Sequence, residues 1–301
     1  MLRNGRCSVN EDRTSTVGGS VGLIDGHVHF WDVARFDYPW LDEHPTLNRA
    51  FTPDDVITGR HKVAGFVFIQ ADCLDTQSLD EVAWINELAS KGAPISGIVA
   101  HAPLEQGAAC GPHLATLASS PRVVGVRRLL QGMPDRFGLQ PDFIHAVRLL
   151  GELQLVMDLC IKEHQLAEAT QLVESCPGTT FVLDHLGKPD IAHGSFEPWA
   201  QQLTELAALP NVYLKLSGLA TEADEATRGA DTLGRYIQHG LAAFGPERSI
   251  FGSDWPVSAT VISFERWVDT VLGALNQCTE TERDQVMGGN AVKVYRLDHD
   301  G

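Results

Sequence analysis

The stretch Ile24-Asp25-Gly26-His27-Val28-His29-Phe30-Trp31 is the key to the architecture, because a short apolar run delivers two histidines, one residue apart, into a turn. Alternate residues of a β-strand share a face, so His27 and His29 are predicted to converge on one point. Asp25 has the same parity and is expected to contact one imidazole from below and fix its tautomer. An isolated pair of this kind is equally compatible with two structural histidines, so partners elsewhere must decide.

Short β-branched runs recur along the chain and alternate with segments of helical periodicity. The candidate strands are residues 22–27, 64–70, 97–101, 123–127, 155–159, 180–185, 212–216 and 249–252. Apolar positions at helical spacing include Leu79, Val82, Ala83 and Leu88 in one segment and Leu166, Ala169, Leu172 and Val173 in another.

Repeated βα units with no break in composition predict an α/β fold, a (β/α)8 TIM barrel. It is expected to form a single domain of residues 21–301 after a flexible tail of residues 1–20. A doubly wound sheet is the alternative. That fold needs a Gly-rich phosphate turn after its first strand, where this chain has His-Val-His-Phe-Trp.

The composition restricts the partners. The formal net charge of -16 argues against nucleic acid and anionic membranes, which require basic patches, and favours a small-molecule substrate.

The cysteines are scattered without C-x-x-C pairs, which indicates reduced thiols and a cytoplasmic protein. Cys160 is interpreted as a small buried thiol rather than a nucleophile. No apolar run approaches the roughly 18 residues of a membrane span. Subunit association is left open, with a homodimer as the candidate.

In a barrel of this type, the carboxyl ends of the strands form the mouth where the chemistry lies. Every candidate strand ends there in at least one polar side chain. These side chains are His27, His29, Gln70, His101, Arg127, Arg128, Asp158, His185, Lys215, Ser217 and Asp254. Arg127 and Arg128 are adjacent, so strand alternation lets only one of them point inward.

Six motifs carry a family resemblance over nearly all of the chain from residue 21. They are IDGHVHFWD at 24–32, FDYPWL at 36–41, LDHLGKPD at 183–190, KLSGL at 215–219, FGSDWPV at 251–257 and GGNAVKVY at 288–295. The chain resembles the amidohydrolase superfamily, in particular the amidohydrolase-2 branch with lactonases of the L-fuconolactone and L-rhamnonolactone type. This resemblance implies a barrel with His27, His29, His185 and Asp254 around the reacting carbonyl.

The resemblance also bears on metal content. Binuclear members generally have a bridging lysine or carboxylate on strand four and a histidine on strand five, where this chain has Arg127 with Arg128 and residues 158–160. A second metal site is therefore predicted to be absent. Zinc usually needs three firm ligands, which His27, His29 and Asp254 could supply. The similarity to pyrone-dicarboxylate lactonases implies that the same residues work without metal, so one divalent metal ion such as zinc is expected to be accommodated but dispensable.

Lactone hydrolysis needs an activated water, stabilisation of the oxyanion and a proton for the departing ring oxygen. Asp254 is predicted to be the general base, because a carboxylate flanked by histidines stays ionised yet accepts a proton from the attacking water. A helix N-cap after strand eight is the alternative role for Asp254. His27, His29 and His185 are predicted to point donors at the oxyanion.

Substrate contacts are predicted for Gln70, for whichever of the two arginines faces inward, for His101, and for the apolar faces of Trp31 and Trp255. A dicarboxylate substrate would demand several converging cations. Because only Lys215 joins the adjacent arginines at the strand ends, a neutral sugar lactone similar to L-fuconolactone is favoured.

The loop residues Arg35 and Arg136 could reverse that ranking of substrates. Three other functions stay open: a dicarboxylate lactonase of the pyrone or muconolactone type, a metal-dependent decarboxylase on the same barrel, and a non-enzymatic barrel that binds sugar acids.

Overall fold

The computed structural model describes residues 22–298, so the predicted tail of residues 1–20 lies outside the described part. Eight parallel strands form one sheet in which each strand pairs with the next along the chain. The strands are β1 (Leu23–Val28), β2 (Val63–Ile69), β3 (Ile95–Ala100), β4 (Val123–Arg127), β5 (Val156–Leu159), β6 (Phe181–Leu183), β7 (Val212–Leu216) and β8 (Ser249–Phe251). This sequential order confirms the (β/α)8 barrel and excludes the doubly wound sheet.

The barrel closes where the end of β1 meets the segment after β8. Val28 forms a parallel bridge with Trp255. The backbone N–H of Asp254 donates to the carbonyl of His27 at 2.8 Å, and that of His29 donates to the carbonyl of Trp255 at 2.8 Å. Closure therefore brings Asp254 beside the two histidines of the first strand.

Helices surround the strands and cover the barrel. They are α1 (Ser78–Ser90), α2 (Gly111–Ser119), α3 (Pro141–Glu152), α4 (Leu166–Ser175), α5 (Trp199–Ala207), α6 (Ala230–Phe244), α7 (Phe264–Ala274), α8 (Glu280–Asp284) and α9 (Asn290–Tyr295). The main apolar core lies between strands and helices, and a second one fills the barrel interior, where Val294 and Tyr295 of α9 pack against strand residues. Among the described residues, no helix has the length and apolar character needed to cross a bilayer.

The helix faces follow the predicted periodicity in α4 but only in part in α1. Leu166, Ala169, Leu172 and Val173 of α4 are all buried, as expected. In α1 the prediction was only partly right: Val82 is buried, but Leu79 is 38% exposed, whereas Trp84 and Ile85 are buried. The buried face of α1 also contains Glu81, a charged residue that a search for apolar periodicity counts as solvent-facing.

Candidate active site

His27 and His29, at the end of β1, point to the same place, and their Nε2 atoms lie 3.1 Å apart. The Oδ1 atom of Asp254 lies 3.7 Å from Nε2 of His27 and 3.6 Å from Nε2 of His29. All three residues are buried. Nδ1 of His29 lies 2.8 Å from the carbonyl oxygen of Ile69, which can only accept, so His29 carries its proton on Nδ1 and a lone pair on Nε2.

These three ligand atoms fit a single divalent metal ion. In a tetrahedral zinc site with bonds of about 2.0–2.1 Å, neighbouring ligand atoms lie roughly 3.3 Å apart. The separations of 3.1, 3.6 and 3.7 Å among the two Nε2 atoms and Asp254 Oδ1 are close to that value. His29 is also held through its second ring nitrogen, as metal-binding histidines usually are. The group is the ligand set predicted from the sequence.

Asp25 does not contact an imidazole, so the role expected for it was wrong. Its Oδ1 atom accepts hydrogen bonds from the backbone N–H groups of His27 at 3.1 Å and Ser253 at 2.8 Å. Its Oδ2 atom accepts from the Ser253 hydroxyl at 2.5 Å. Asp254 follows with a left-handed φ of 58°, a conformation that costs energy in a residue other than glycine. Asp25 thus anchors the turn that aims Asp254.

A left-handed turn after β6 positions His185 and Lys188. Four consecutive residues have positive φ, with 54° at His185, 53° at Leu186, 72° at Gly187 and 51° at Lys188. Left-handed backbone costs a residue other than glycine roughly 1–2 kcal/mol, so surrounding contacts must hold the turn. One such contact is the Trp199 indole, which donates to the Leu186 carbonyl at 2.8 Å.

His185 completes the histidine cluster. Its ring centroid lies 4.5 Å from that of His27, and its Nδ1 atom lies 2.9 Å from the Ser217 hydroxyl. Gly218, with φ of 65°, leaves the room that the His185 ring occupies, because a Cβ atom there would lie 2.4 Å from His185 Nδ1. Strand β7 and its following turn therefore hold His185 in place.

A buried ionic network lies behind His27. The ammonium of Lys215 is 2.6 Å from Oδ2 of Asp158, 2.9 Å from Oδ1 of Asp184 and 3.2 Å from Nδ1 of His27. Asp184 Oδ1 is also 3.3 Å from His27 Nδ1. The Tyr295 hydroxyl reaches Asp158 at 2.9 and 3.0 Å. Lys215, which the strand pattern placed at the mouth, thus lies fully buried inside the barrel.

Burial sets the charge of the cluster. It lowers the pKa of His27 and of His185 well below the usual histidine value, so both rings are neutral at neutral pH. Burial also opposes ionisation of Asp254, but the neighbouring His185, His29 and Lys188 outweigh it and lower the pKa of that carboxyl. Asp254 is therefore ionised beside the lone pair on Nε2 of His29, an arrangement that favours a proton or a cation between the two side chains.

The cluster forms one wall of a cavity of about 290 Å³, close to the lower end of the roughly 300–1,000 Å³ typical of small-ligand sites. Arg127 lines this cavity and donates to the Gln70 carbonyl at 2.7 Å. Arg128 turns away and pairs with Glu105 at 2.9 and 3.0 Å, so only one of the adjacent arginines faces inward, as predicted. Trp31 is fully buried beside Trp40, with the two ring centroids 5.3 Å apart, so its indole presents no accessible face to the cavity, contrary to the prediction.

Three residues predicted to contact the substrate lie away from the cavity lining. Trp255 packs between Phe30 and Phe51 in the core. The side chain of Gln70 folds back, and its Oε1 atom accepts from the backbone N–H of Asp72 at 2.6 Å. Nε2 of His101 lies 3.1 Å from a carboxylate oxygen of Asp75. Each of these side chains is occupied by a structural contact.

The cavity lining contains residues that the sequence reasoning missed. They are Trp40, His44, Asp72, Gln131 and Lys188. Two of them belong to the family motifs, Trp40 to FDYPWL and Lys188 to LDHLGKPD, so membership of a motif could have identified them as cavity residues. Lys188 donates to the Gln131 side-chain oxygen at 2.6 Å. The lining carries two basic side chains, Arg127 and Lys188, against two carboxylates, Asp72 and Asp254.

Cys160 lines the cavity too, yet it has no activated thiol. Its Sγ atom lies 3.6 Å from the side-chain oxygen of Gln131, and burial raises the pKa of the thiol. The described part of the chain also holds Cys73, Cys110, Cys176 and Cys278 as free thiols. A nucleophile needs a lowered thiol pKa, so Cys160 is a packing residue, as expected.

Comparisons with known proteins agree with this geometry. The model of a family described as Amidohydrolase matches residues 24–297. The L-fucono-1,5-lactonase of Burkholderia multivorans is 34% identical over 300 residues, covering 91% of the chain and 96% of that protein. The L-rhamnono-gamma-lactonase of Scheffersomyces stipitis is 25% identical, covering 91% and 98%. A crystal structure of an amidohydrolase from Burkholderia multivorans with bound zinc has a TM-score of 0.83 at 32% identity, covering 92% of this chain and 100% of that one.

Proposed function

The chain belongs to the amidohydrolase family, and from this premise we propose that it hydrolyses a neutral sugar lactone of the L-fucono-1,5-lactone type to the sugar acid. The observation that carries the proposal is the carboxylate of Asp254, which lies 3.7 Å from Nε2 of His27 and 3.6 Å from Nε2 of His29 on one wall of a cavity of about 290 Å³. The lactonase names of the relatives support the same reaction. We assign it to carbohydrate catabolism.

Asp254 acts as the general base in this proposal. Its Oδ2 atom accepts a hydrogen bond from the Ser258 hydroxyl at 3.1 Å, which orients the carboxylate. It takes a proton from the water that attacks the lactone carbonyl, and the bond between that carbon and the ring oxygen then breaks. Asp254 returns the proton to the departing ring oxygen. The products are a carboxylic acid and a free hydroxyl group, so one water molecule is consumed.

His185 supports the developing oxyanion. When its Nδ1 atom accepts from the Ser217 hydroxyl, its Nε2 atom carries the proton and is available as a donor. Removing one donor of this kind typically costs roughly 100- to 1,000-fold in turnover. The ammonium of Lys188, which lines the same cavity, adds a positive charge to this neutral donor.

A divalent metal ion held by His27, His29 and Asp254 would polarise the substrate carbonyl as a Lewis acid. We propose that such an ion is accommodated but dispensable. In its absence the His27 ring places a proton between the two Nε2 atoms, and this satisfies the lone pair of His29.

The lining of the cavity favours a neutral substrate. Two basic and two acidic side chains balance one another there. Arg127 is already partnered by Asp184 at 3.4 Å, so it supplies no free charge for a dicarboxylate. The partly exposed indole of Trp40 offers an apolar face to sugar C–H groups. Arg35 and Arg136 lie outside the lining and do not reverse the ranking.

We also propose a cytoplasmic location, which the free thiols of the described residues support. A homodimer stays a prediction, and light scattering on the purified protein tests it.

The first experiment measures acid release from L-fucono-1,5-lactone, an L-rhamnonolactone and a dicarboxylate lactone, with metal-stripped and zinc-restored protein. We expect rapid hydrolysis of a neutral lactone in both states. Asp254→Asn should lower turnover by roughly 10²- to 10⁴-fold, whereas the exposed Asp190→Asn should not. Near-normal turnover of folded Asp254→Asn contradicts the base assignment. Preference for the dicarboxylate, or carbon dioxide release without uptake of water, contradicts the proposed substrate or reaction.

A further inference from the structure

One ring nitrogen of His27 faces two chemically opposite partners. Its Nδ1 atom lies 3.2 Å from the ammonium of Lys215, which can only donate, and 3.3 Å from Oδ1 of Asp184, an acceptor. The side chains of all three residues are fully buried. A neutral imidazole nitrogen carries either a proton or a lone pair. Both forms of His27 therefore find a partner without any movement of heavy atoms.

The first form is a continuous chain of hydrogen bonds. Lys215 donates to Nδ1 of His27, and the proton of His27 then resides on Nε2. That proton points at Nε2 of His29, 3.1 Å away, which carries a lone pair because Nδ1 of His29 donates to Ile69. Every donor in this chain meets an acceptor, and the site needs no metal.

The second form presents lone pairs on both Nε2 atoms. The proton of His27 then resides on Nδ1, where Oδ1 of Asp184 accepts it. Lys215 keeps its contacts of 2.6 Å with Asp158 and 2.9 Å with Asp184. The two histidines and Asp254 are then ready for a metal ion, and a carboxylate on the second nitrogen is the usual support for such a histidine.

We propose that Lys215 and Asp184 form a tautomer selector for His27, which lets one fixed scaffold adopt a proton-bridged, metal-free form and a metal-binding form. The two forms differ only in which ring nitrogen is protonated, so the net charge of His27 does not change. Lys215 and Asp184 act through His27 and are positioning residues. This inference extends the proposed function by explaining how the metal is both accepted and dispensable.

The same ammonium limits the site to one ion. His27, Asp184 and His185 form a second group of potential ligands within the described residues. Lys215 contacts two of these three, at 3.2 Å from His27 and 2.9 Å from Asp184. A second divalent cation would have to displace a buried ammonium, so titration should end at one equivalent of zinc.

Nuclear magnetic resonance on protein labelled with nitrogen-15 histidine tests the selector directly. Long-range proton–nitrogen correlations report which nitrogen of each ring is protonated, and the His27→Gln variant identifies the His27 signals. We expect His27 to carry its proton on Nε2 in metal-stripped protein and on Nδ1 after one equivalent of zinc. The same tautomer in both states overturns the proposal. No substrate is present, so failure of the lactonase function is a separate result.

A matched pair of variants separates tautomer selection from simple charge. Lys215→Met removes the donor to His27, so metal-stripped variant protein should already carry the proton on Nδ1. Arg127→Met removes a cation that also contacts Asp184, at 3.4 Å, but not His27, and should leave the tautomer unchanged. An equal shift in both variants, or none in folded Lys215→Met, contradicts the proposal. If Lys215→Met does not fold, the wild-type comparison still decides.

Discussion

Asp25 holds Ser253 through both the backbone N–H, at 2.8 Å, and the hydroxyl, at 2.5 Å, of that residue. The pair joins the first strand of the barrel to the segment that follows the last strand. Asp254 is the next residue, and its own N–H donates to the carbonyl of His27 at 2.8 Å. Barrel closure and placement of the proposed base therefore depend on one buried carboxylate.

Replacing Ser253 by Ala should lower both stability and turnover. A hydrogen bond to a charged group contributes about 1.5–3 kcal/mol, and its loss also frees the turn that aims Asp254. Ser249→Ala is the matched control, because its buried hydroxyl donates to the carbonyl of Gly245 at 2.9 Å, away from the site. Thermal unfolding and lactone turnover of both variants check this. Equal effects on turnover would contradict the link to Asp254.

Gly218→Ala should impair turnover by displacing His185. A Cβ atom at this position would lie 2.4 Å from His185 Nδ1, and the backbone φ of 65° disfavours alanine. Gly234→Ala is the control, because its Cβ meets nothing within 4 Å in the middle of α6, where alanine should stabilise the helix by about 0.5–1 kcal/mol. Steady-state kinetics and unfolding curves are the measurements, and unchanged turnover of Gly218→Ala would disprove the steric argument.

Arg127→Met should reduce kcat/KM by about 10- to 100-fold, the expected effect of losing a buried charged hydrogen bond. Arg127 lines the cavity, whereas Arg128 pairs with Glu105 outside it. Arg128→Met should therefore leave kcat/KM near the wild-type value. Kinetics with a neutral lactone compare the two. A larger loss in Arg128→Met would show that the other arginine serves the substrate.

Lys188→Met should raise KM and lower kcat for a lactone. Burial opposes the charge of Lys188, but the nearby carboxylates of Glu222 and Asp254 help to raise the pKa of its ammonium, so the charge is present throughout the working range. Lys162→Met is the control, since that ammonium is 43% exposed and pairs with Glu222 instead. Full activity of Lys188→Met would remove this residue from the site.

Glu81 should make stability fall as pH rises. Burial raises its pKa to about 8, above the ordinary 4.5, so between these values the folded chain holds a proton that the unfolded chain has lost. The unfolded state binds fewer protons in this window, so the free energy of unfolding decreases with increasing pH. Glu81→Gln should flatten that decline. Urea unfolding at about pH 5 and about pH 9 measures it, with the exposed Glu152→Gln as control.

The strand pattern in the sequence predicted the barrel and brought His27, His29 and Asp254 to one place. The strand prediction was wrong at the carboxyl end of β6. The predicted strand 180–185 ends at Leu183, because the backbone enters a left-handed turn at His185. Strand alternation no longer applies in such a turn, so Asp184 and Lys188 serve the site in addition to His185. No periodic pattern encodes a run of positive φ values.

The sequence did not predict which tryptophans line the cavity, because that depends on contacts between distant residues. Trp255 was predicted to face the substrate but packs against Phe30 and Phe51. Trp40 lines the cavity instead. Its indole donates to the carbonyl of Ala71 at 2.9 Å, and this hydrogen bond holds the loop that carries Trp40 against the cavity. Contacts of this kind join residues distant in the chain and follow only from the folded barrel.

Tyr295, on the final helix, has a consequence for the order of events during protein synthesis. Its hydroxyl lies 2.9 Å from Asp158, which in turn holds Lys215 beneath His27. All eight strands leave the ribosome before α9 is made, yet the floor of the site is complete only after that helix docks. A nascent barrel, or one shortened at its carboxyl end, therefore lacks part of the hydrogen-bond network beneath His27.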